Sequence, residues 1–142
     1  MIDASGHIIH IDFGFVFGLA PGKAFSLEKA PWKLTVEMVD VMGGLEGAPF
    51  KRYKALCVDA FRAARAHARE VEGLMEIMAH KSVYPAFKYC KTVIPDFRKR
   101  LMLDRPDDHV PAIVEGFVKK SYDYSGTRLY DKFQLATNEI AI

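Results

Sequence analysis

A mainly α-helical domain opened by a short β-hairpin is the fold class this sequence predicts, and three observations predict it. After residue 35, apolar residues recur at three- and four-residue spacing, the period of an amphipathic helix. Residues with strong β preference gather in one run, His7-Ile8-Ile9-His10-Ile11. The 142 residues, half of them hydrophobic, are enough for one core, and no linker or internal repeat divides them.

The hairpin is expected over residues 1–12, because the turn formers Ala4-Ser5-Gly6 separate Met1-Ile2 from the β-rich run. Ile9 and Ile11 then share a face, and His7 and His10 read as surface or hydrogen-bonded histidines, since no third residue stands at metal-ligand spacing. From Phe13 to Pro31 periodicity is lost among Gly14, Gly18, Pro21 and Gly22, a stretch longer than an ordinary connection and therefore a functional loop or a disordered one. Thr35 is the expected N-cap of a helix over Val36 to Met42, which Gly43-Gly44 ends. Pro49 suits a helix start, and Phe50, Tyr53, Cys57, Phe61 and Ala64 make one apolar stripe. Ala68, Val71, Leu74, Met75 and Met78 continue it after a bend near Arg65 to His67. Pro85 and Pro95 delimit an irregular stretch, a short helix is expected over Asp96 to Leu101, and a turn over Arg105 to Asp108. Val110 to Val118 predict another helix with Pro111 in its first turn. Ser125-Gly126 is expected to break the chain, with Thr127 capping a last helix that carries Tyr130 and Phe133.

Composition narrows the function. Twenty Lys and Arg against eighteen Asp and Glu leave a formal charge of +2, far from the excess of a nucleic-acid-binding domain, so no nucleic-acid partner is expected. Two cysteines, Cys57 and Cys90, stand without metal-ligand spacing and point to free thiols in a reducing compartment, hence a cytoplasmic protein. No apolar run reaches the ~20 residues that cross a bilayer, so membrane contact is expected to be peripheral.

Asp12-Phe13-Gly14, between an apolar strand and a long loop, is the most informative tripeptide. Magnesium is a hard cation that must be gripped through oxygen while it bridges nucleotide phosphates, and a neighbouring glycine lets the chain turn sharply. Alone, the tripeptide is equally at home in an ordinary turn. Its context is more specific. The segment His7 to Phe15, then Ala30-Pro31-Trp32-Lys33-Leu34-Thr35, then Glu37-Met38-Val39-Asp40-Val41-Met42-Gly43-Gly44, in that order, resembles the phosphatidylinositol 3- and 4-kinase superfamily. With the Tyr130-Asp131-Lys132-Phe133-Gln134 tail, the chain looks most like type III phosphatidylinositol 4-kinases of the alpha class.

The resemblance implies the C-terminal lobe of a protein-kinase-like catalytic domain in one unit over 1–142, with the hairpin at 1–12, the metal segment and activation loop at 12–35 and a helical remainder at 36–142. It implies ATP and Mg²⁺ as cofactors, Asp12 as a metal ligand, and adenine-pocket contacts from Met1 and Ile11, for which ordinary hairpin core is the competing role. The catalytic loop, of the form Asp-Arg-His-x-x-Asn-Ile-Met, would precede Met1, so no catalytic residue is assigned in this chain and the isolated chain is expected to be inactive. Partners implied are phosphatidylinositol in a membrane surface, the N-terminal lobe of the same kinase and regulatory subunits.

Between Gly14 and Leu34 the charges are Lys23, Lys29 and Lys33 against Glu28, which suits the single diester charge of phosphatidylinositol better than a bisphosphate headgroup. Lys23 and Lys29 are the candidate headgroup contacts. Lys51, Arg52, Lys54, Arg62, Arg65 and Arg69 read as a solvated helix face. Tyr130, Phe133, Leu135, Ile140 and Ile142 form the better candidate for contact with lipid headgroups. The alternatives are a phosphatidylinositol 3-kinase or related superfamily kinase, and a noncatalytic helical module that docks on membranes or proteins.

Overall fold

The structure, a computed structural model, describes residues 3–11, 16–18, 29–89 and 92–138. Seven α-helices carry it: α1 (Val36–Val41), α2 (Ala48–Ala66), α3 (Ala68–Ala79), α4 (Pro85–Tyr89), α5 (Val93–Arg100), α6 (Val110–Ser121) and α7 (Ser125–Asn138). No sheet forms among the described residues. Among pairs of described residues, an isolated parallel bridge joins Leu34 and Tyr122.

The expected hairpin is represented by its tip. Gly6 N–H donates to Asp3 O (3.0 Å) and Asp3 N–H to His7 O (2.9 Å), a three-residue loop closed by Gly6 at φ +84°. Glycine is favoured there because a left-handed backbone is costly for a residue with a Cβ. The Asp3 carboxylate braces the loop by accepting the Ser5 and His7 backbone N–H groups, both at 2.8 Å. Met1 and Ile2, the other arm, lie outside the described residues.

Thr35 caps α1 through its hydroxyl, which accepts the Met38 N–H. Gly43 and Gly44, both at positive φ, end the helix, and Gly44 N–H returns to Val39 O at 3.0 Å. Gly47 matters for a different reason. A Cβ there would stand 2.3 Å from the Met42 carbonyl oxygen, so the turn into α2 closes only around a hydrogen.

Leu34, Val39, Phe50, Val110, Val114 and Val118 form the buried core, with Trp32, Tyr53, Phe61 and Tyr122 packed on it. It lies where α2 packs along α6, beneath α1. The Phe61 and Trp32 rings both meet Phe117 edge-on, at 5.7 and 6.0 Å. A second buried group, Ala68, Met75, Ala86, Val93 and Leu101, joins α3 to α4 and α5.

Several boundaries differ from expectation. The bend at His67 falls where it was predicted. On α3 the inward side carries Ala68, Met75 and Glu72, while Leu74 and Met78, placed by periodicity in the apolar stripe, are exposed. Glu72 is drawn inward by Arg98 of α5 at 2.9 Å. α5 starts at Val93, three residues before the expected Asp96, and holds Pro95 in its first turn, where a missing N–H costs nothing. α7 starts at Ser125, so Ser125-Gly126 is its first turn, and Thr127 is buried within the helix rather than capping it.

Candidate active site

The segment that would carry the metal divides between described and undescribed residues. Met1, Asp12 and Lys23 lie outside the described residues. Ile11 and Lys29 are described, and both are exposed. Ile11 is 57% exposed, Ile9 45% and Ile8 69%. His10 is exposed too, and His7 pairs its Nδ1 with Asp3 Oδ2 at 3.1 Å. Backbone donation from His7, joined by its ring and by Ser5 and Gly6, holds the Asp3 carboxyl below its ordinary 3.8. No three metal-ligating side chains gather among the described residues.

The two described ends of the long loop are better placed. At its near end, Phe17 and Gly18 are both left-handed, at φ 54° and 85°. Phenylalanine rarely adopts that backbone, and here its ring lies against Phe87 of α4, centroids 5.4 Å apart. At the far end, Pro31, Trp32 and Lys33 are each tied to a helix and Leu34 to the connection between α6 and α7. Arg100 donates to Pro31 O at 2.9 Å. Trp32 N–H reaches the buried Ser121 hydroxyl at 3.3 Å. Lys33 Nζ meets both carboxylate oxygens of Asp131 at 2.6 and 2.7 Å. Asp123 N–H donates to Leu34 O at 3.0 Å beside the Leu34–Tyr122 bridge. The loop's exit is thus fixed to α5, α6 and α7, which is what a positioning segment needs.

Between these two ends and α5 lies a cleft of about 860 Å³, floored by Phe17, Pro31, Trp32 and Phe97 and edged by Lys33, Asp96, Lys99 and Arg100. The cations of α5 went unremarked in the sequence, where Arg98-Lys99-Arg100 reads only as the basic last turn of a short helix. Which of the three faces a loop distant in sequence depends on the packing of α5 against α3, and a local pattern does not contain that. The indole N–H of Trp32 is buried without a well-formed hydrogen bond, although it lies close enough to the Tyr53 hydroxyl to favour its ionised form. Burial outweighs that influence and, with Cys57 alongside, pushes Tyr53 up to about 12.

The basic face expected from Lys51 to Arg69, along α2 and into α3, is divided. Lys51 pairs with Glu46 and Lys54 with Glu115, both at 3.3 Å. Arg65 is turned inward, its side chain 7% exposed, donating to Asp107 and to the carbonyls of Leu101, Met102 and Arg105. Arg52, Arg62 and Arg69 are the exposed, solvated remainder. On α7, Leu129, Phe133 and Leu135 are exposed, whereas Tyr130 is half-buried and its hydroxyl accepts Gln134 Nε2 at 2.7 Å. No described helix is long and apolar enough to cross a membrane.

Comparison with known proteins agrees with the motif blocks. Residues 1–88 match the family described as phosphatidylinositol 3- and 4-kinase. Over 99% of its length the chain is 41% identical to a phosphatidylinositol 4-kinase of Dictyostelium discoideum and 39% identical to one of Saccharomyces cerevisiae. It is 41% identical, again over 99% of its length, to phosphatidylinositol 4-kinase beta of Sorex araneus, a beta-class name where the motifs look most like the alpha class. The chain spans between 12% and 17% of the length of these relatives.

Proposed function

This chain belongs to the phosphatidylinositol 3- and 4-kinase family, and we propose that it forms the metal-segment and helical portion of a phosphatidylinositol 4-kinase catalytic domain. The observation that carries the reading is identity of 38–41% to phosphatidylinositol 4-kinases along essentially the whole chain. The reaction is transfer of the ATP γ-phosphoryl to the inositol 4-hydroxyl of phosphatidylinositol, at a cytoplasmic membrane surface reached peripherally. The base and phosphate clamps come from sequence that pairs with this lobe.

Within that reaction the chain supplies position and charge. The donor set fits a shared magnesium site: Asp12 offers hard carboxylate oxygens, and an ion that retains waters and phosphate oxygens needs only one or two protein carboxylates. Asp12 would hold such an ion, which would supply positive charge against the charge of the phosphates. Ile11, exposed beside Asp12, is an apolar wall for the adenine with Met1. In this reading Lys23 and Lys29 of the segment 15–31 serve a singly charged headgroup, and the segment's exit at Pro31 to Leu34 is moored. Exposed Leu129, Phe133 and Leu135 of α7 enter the headgroup zone.

The test is Asp12→Asn in the enzyme that contains this segment, assayed for lipid phosphorylation at saturating Mg²⁺. Loss of phosphoryl transfer by at least about a hundredfold, with helical content unchanged by circular dichroism, is the expected result. Retained turnover removes Asp12 from the metal site.

A further inference from the structure

The cleft beside the loop holds two cations that the kinase reading does not use. Lys99 has no carboxylate partner among the described residues. Arg100 spends one donor on Pro31 O, which among the described residues leaves most of its fork unengaged. The other charges are Lys33, already neutralised by both oxygens of Asp131, and Asp96, whose Oδ2 accepts the Thr92 hydroxyl at 2.7 Å. With Lys33 cancelled, Lys99 and Arg100 exceed Asp96 by a single positive charge.

We propose that this cleft binds the phosphodiester of an anionic phospholipid at a bilayer surface, with Lys99 and Arg100 as its ligands. Charge selects the class. One excess positive charge matches a diester, whereas a polyphosphorylated headgroup would be left largely uncompensated. Size agrees, because about 860 Å³ is far more than a phosphate needs and lies within the range of sites that take a whole small molecule. The floor agrees as well: Phe17, Trp32, Pro31 and Phe97 offer apolar and aromatic surface to the non-phosphate part of a headgroup, which a free anion would not use. Both described ends of the loop line the cleft, so a lipid held there would sit next to the lipid that the loop addresses. The inference rests on the lipid-kinase reading only in taking a membrane as the source of the phosphodiester.

The experiment is co-sedimentation of the chain with phosphatidylcholine vesicles, with and without phosphatidylinositol, at low salt. Lys99→Gln should weaken partition onto the anionic vesicles about fivefold, as expected for one cation near a charged surface. Arg62→Gln, a charge-matched change at an exposed position outside the cleft, should leave it nearly unchanged. Equal losses from the two variants, or none from Lys99→Gln, overturn the proposal. A parallel titration with inorganic phosphate, read by amide NMR, separates the sources: saturable shifts at Lys99 and Arg100 without vesicle dependence on Lys99 identify a soluble anion site and overturn the lipid assignment. Failure here is distinct from failure of the kinase reading, since phosphoryl transfer by Asp12→Asn is measured independently of vesicle binding.

Discussion

Tyr53 is the residue whose surroundings make the sharpest statement about pH. Burial raises its hydroxyl from 10.0 to about 12, so the neutral form is favoured in the folded state. The stability this contributes is complete below the unfolded value near 10 and is lost as pH rises towards 12. Alkaline titration by tyrosinate absorbance should therefore show one late tyrosine that Tyr53→Phe removes; a titration that Tyr53→Phe leaves unaltered contradicts the assignment. Two glycines make a paired prediction about backbone space. Gly47→Ala drives a Cβ to 2.3 Å from Met42 O and should lower stability by about 1–3 kcal/mol, while Gly73→Ala in α3 meets open space and should raise it by about 0.5–1 kcal/mol. Urea denaturation of both decides it, and equal effects would show that the turn relaxes around the added methyl. Gly73 was legible as a weak point in a helix, but Gly47 was not, because its demand comes from a carbonyl fixed by the Met42–Gly44 turn.

At the scale of elements, Arg65 carries more than its helix. From α2 it holds the turn after α5 by donating to three carbonyls, with Asp107 closing the set. Arg65→Ala should cost about 1–3 kcal/mol, since the part-buried Leu101 and Met102 carbonyls lose their donor, and Arg65→Lys should recover only part because an ammonium cannot fork to all of them. A loss under about 1 kcal/mol for Arg65→Ala in urea denaturation would mean that water replaces the guanidinium. Helix existence was largely readable from periodicity, as were the bend at His67 and the Gly43-Gly44 stop. Charge placement was not. Arg65, Glu72 and Lys54 look like solvent-facing residues in any local window, and tertiary partners on α5, the turn after it and α6 draw them in. Pro95 and Ser125-Gly126 misled for a related reason: helix breakers are tolerated in a first turn, and only the structure says which turn is first.

For the molecule as a whole, ordered motif blocks made the family legible, while the candidate site was legible only in part. The Ala30 to Thr35 block reads as signature in the sequence and as anchorage in the structure, Pro31 to Lys33 tied to helices, Leu34 to the α6–α7 connection, and Thr35 capping α1. Lys99 and Arg100 entered no motif, because a cleft between segments eighty residues apart has no local signal. Isoleucines 8, 9 and 11 stay exposed on a chain that spans under a fifth of its relatives' length, an apolar edge suited to the lobe that the kinase reading supplies.

The single bridge from Leu34 to Tyr122, with Ser121, Asp123 and Asp131 around it, has a consequence for how such a polypeptide can be cut or grafted. The downstream shore of the loop is built almost wholly from the last twenty-odd residues of the chain. A transplant that carried the front motifs without that tail would keep the Arg100 tether and the packing of Trp32 and Leu34 on α6, but would lose the other hydrogen bonds described at the loop's exit.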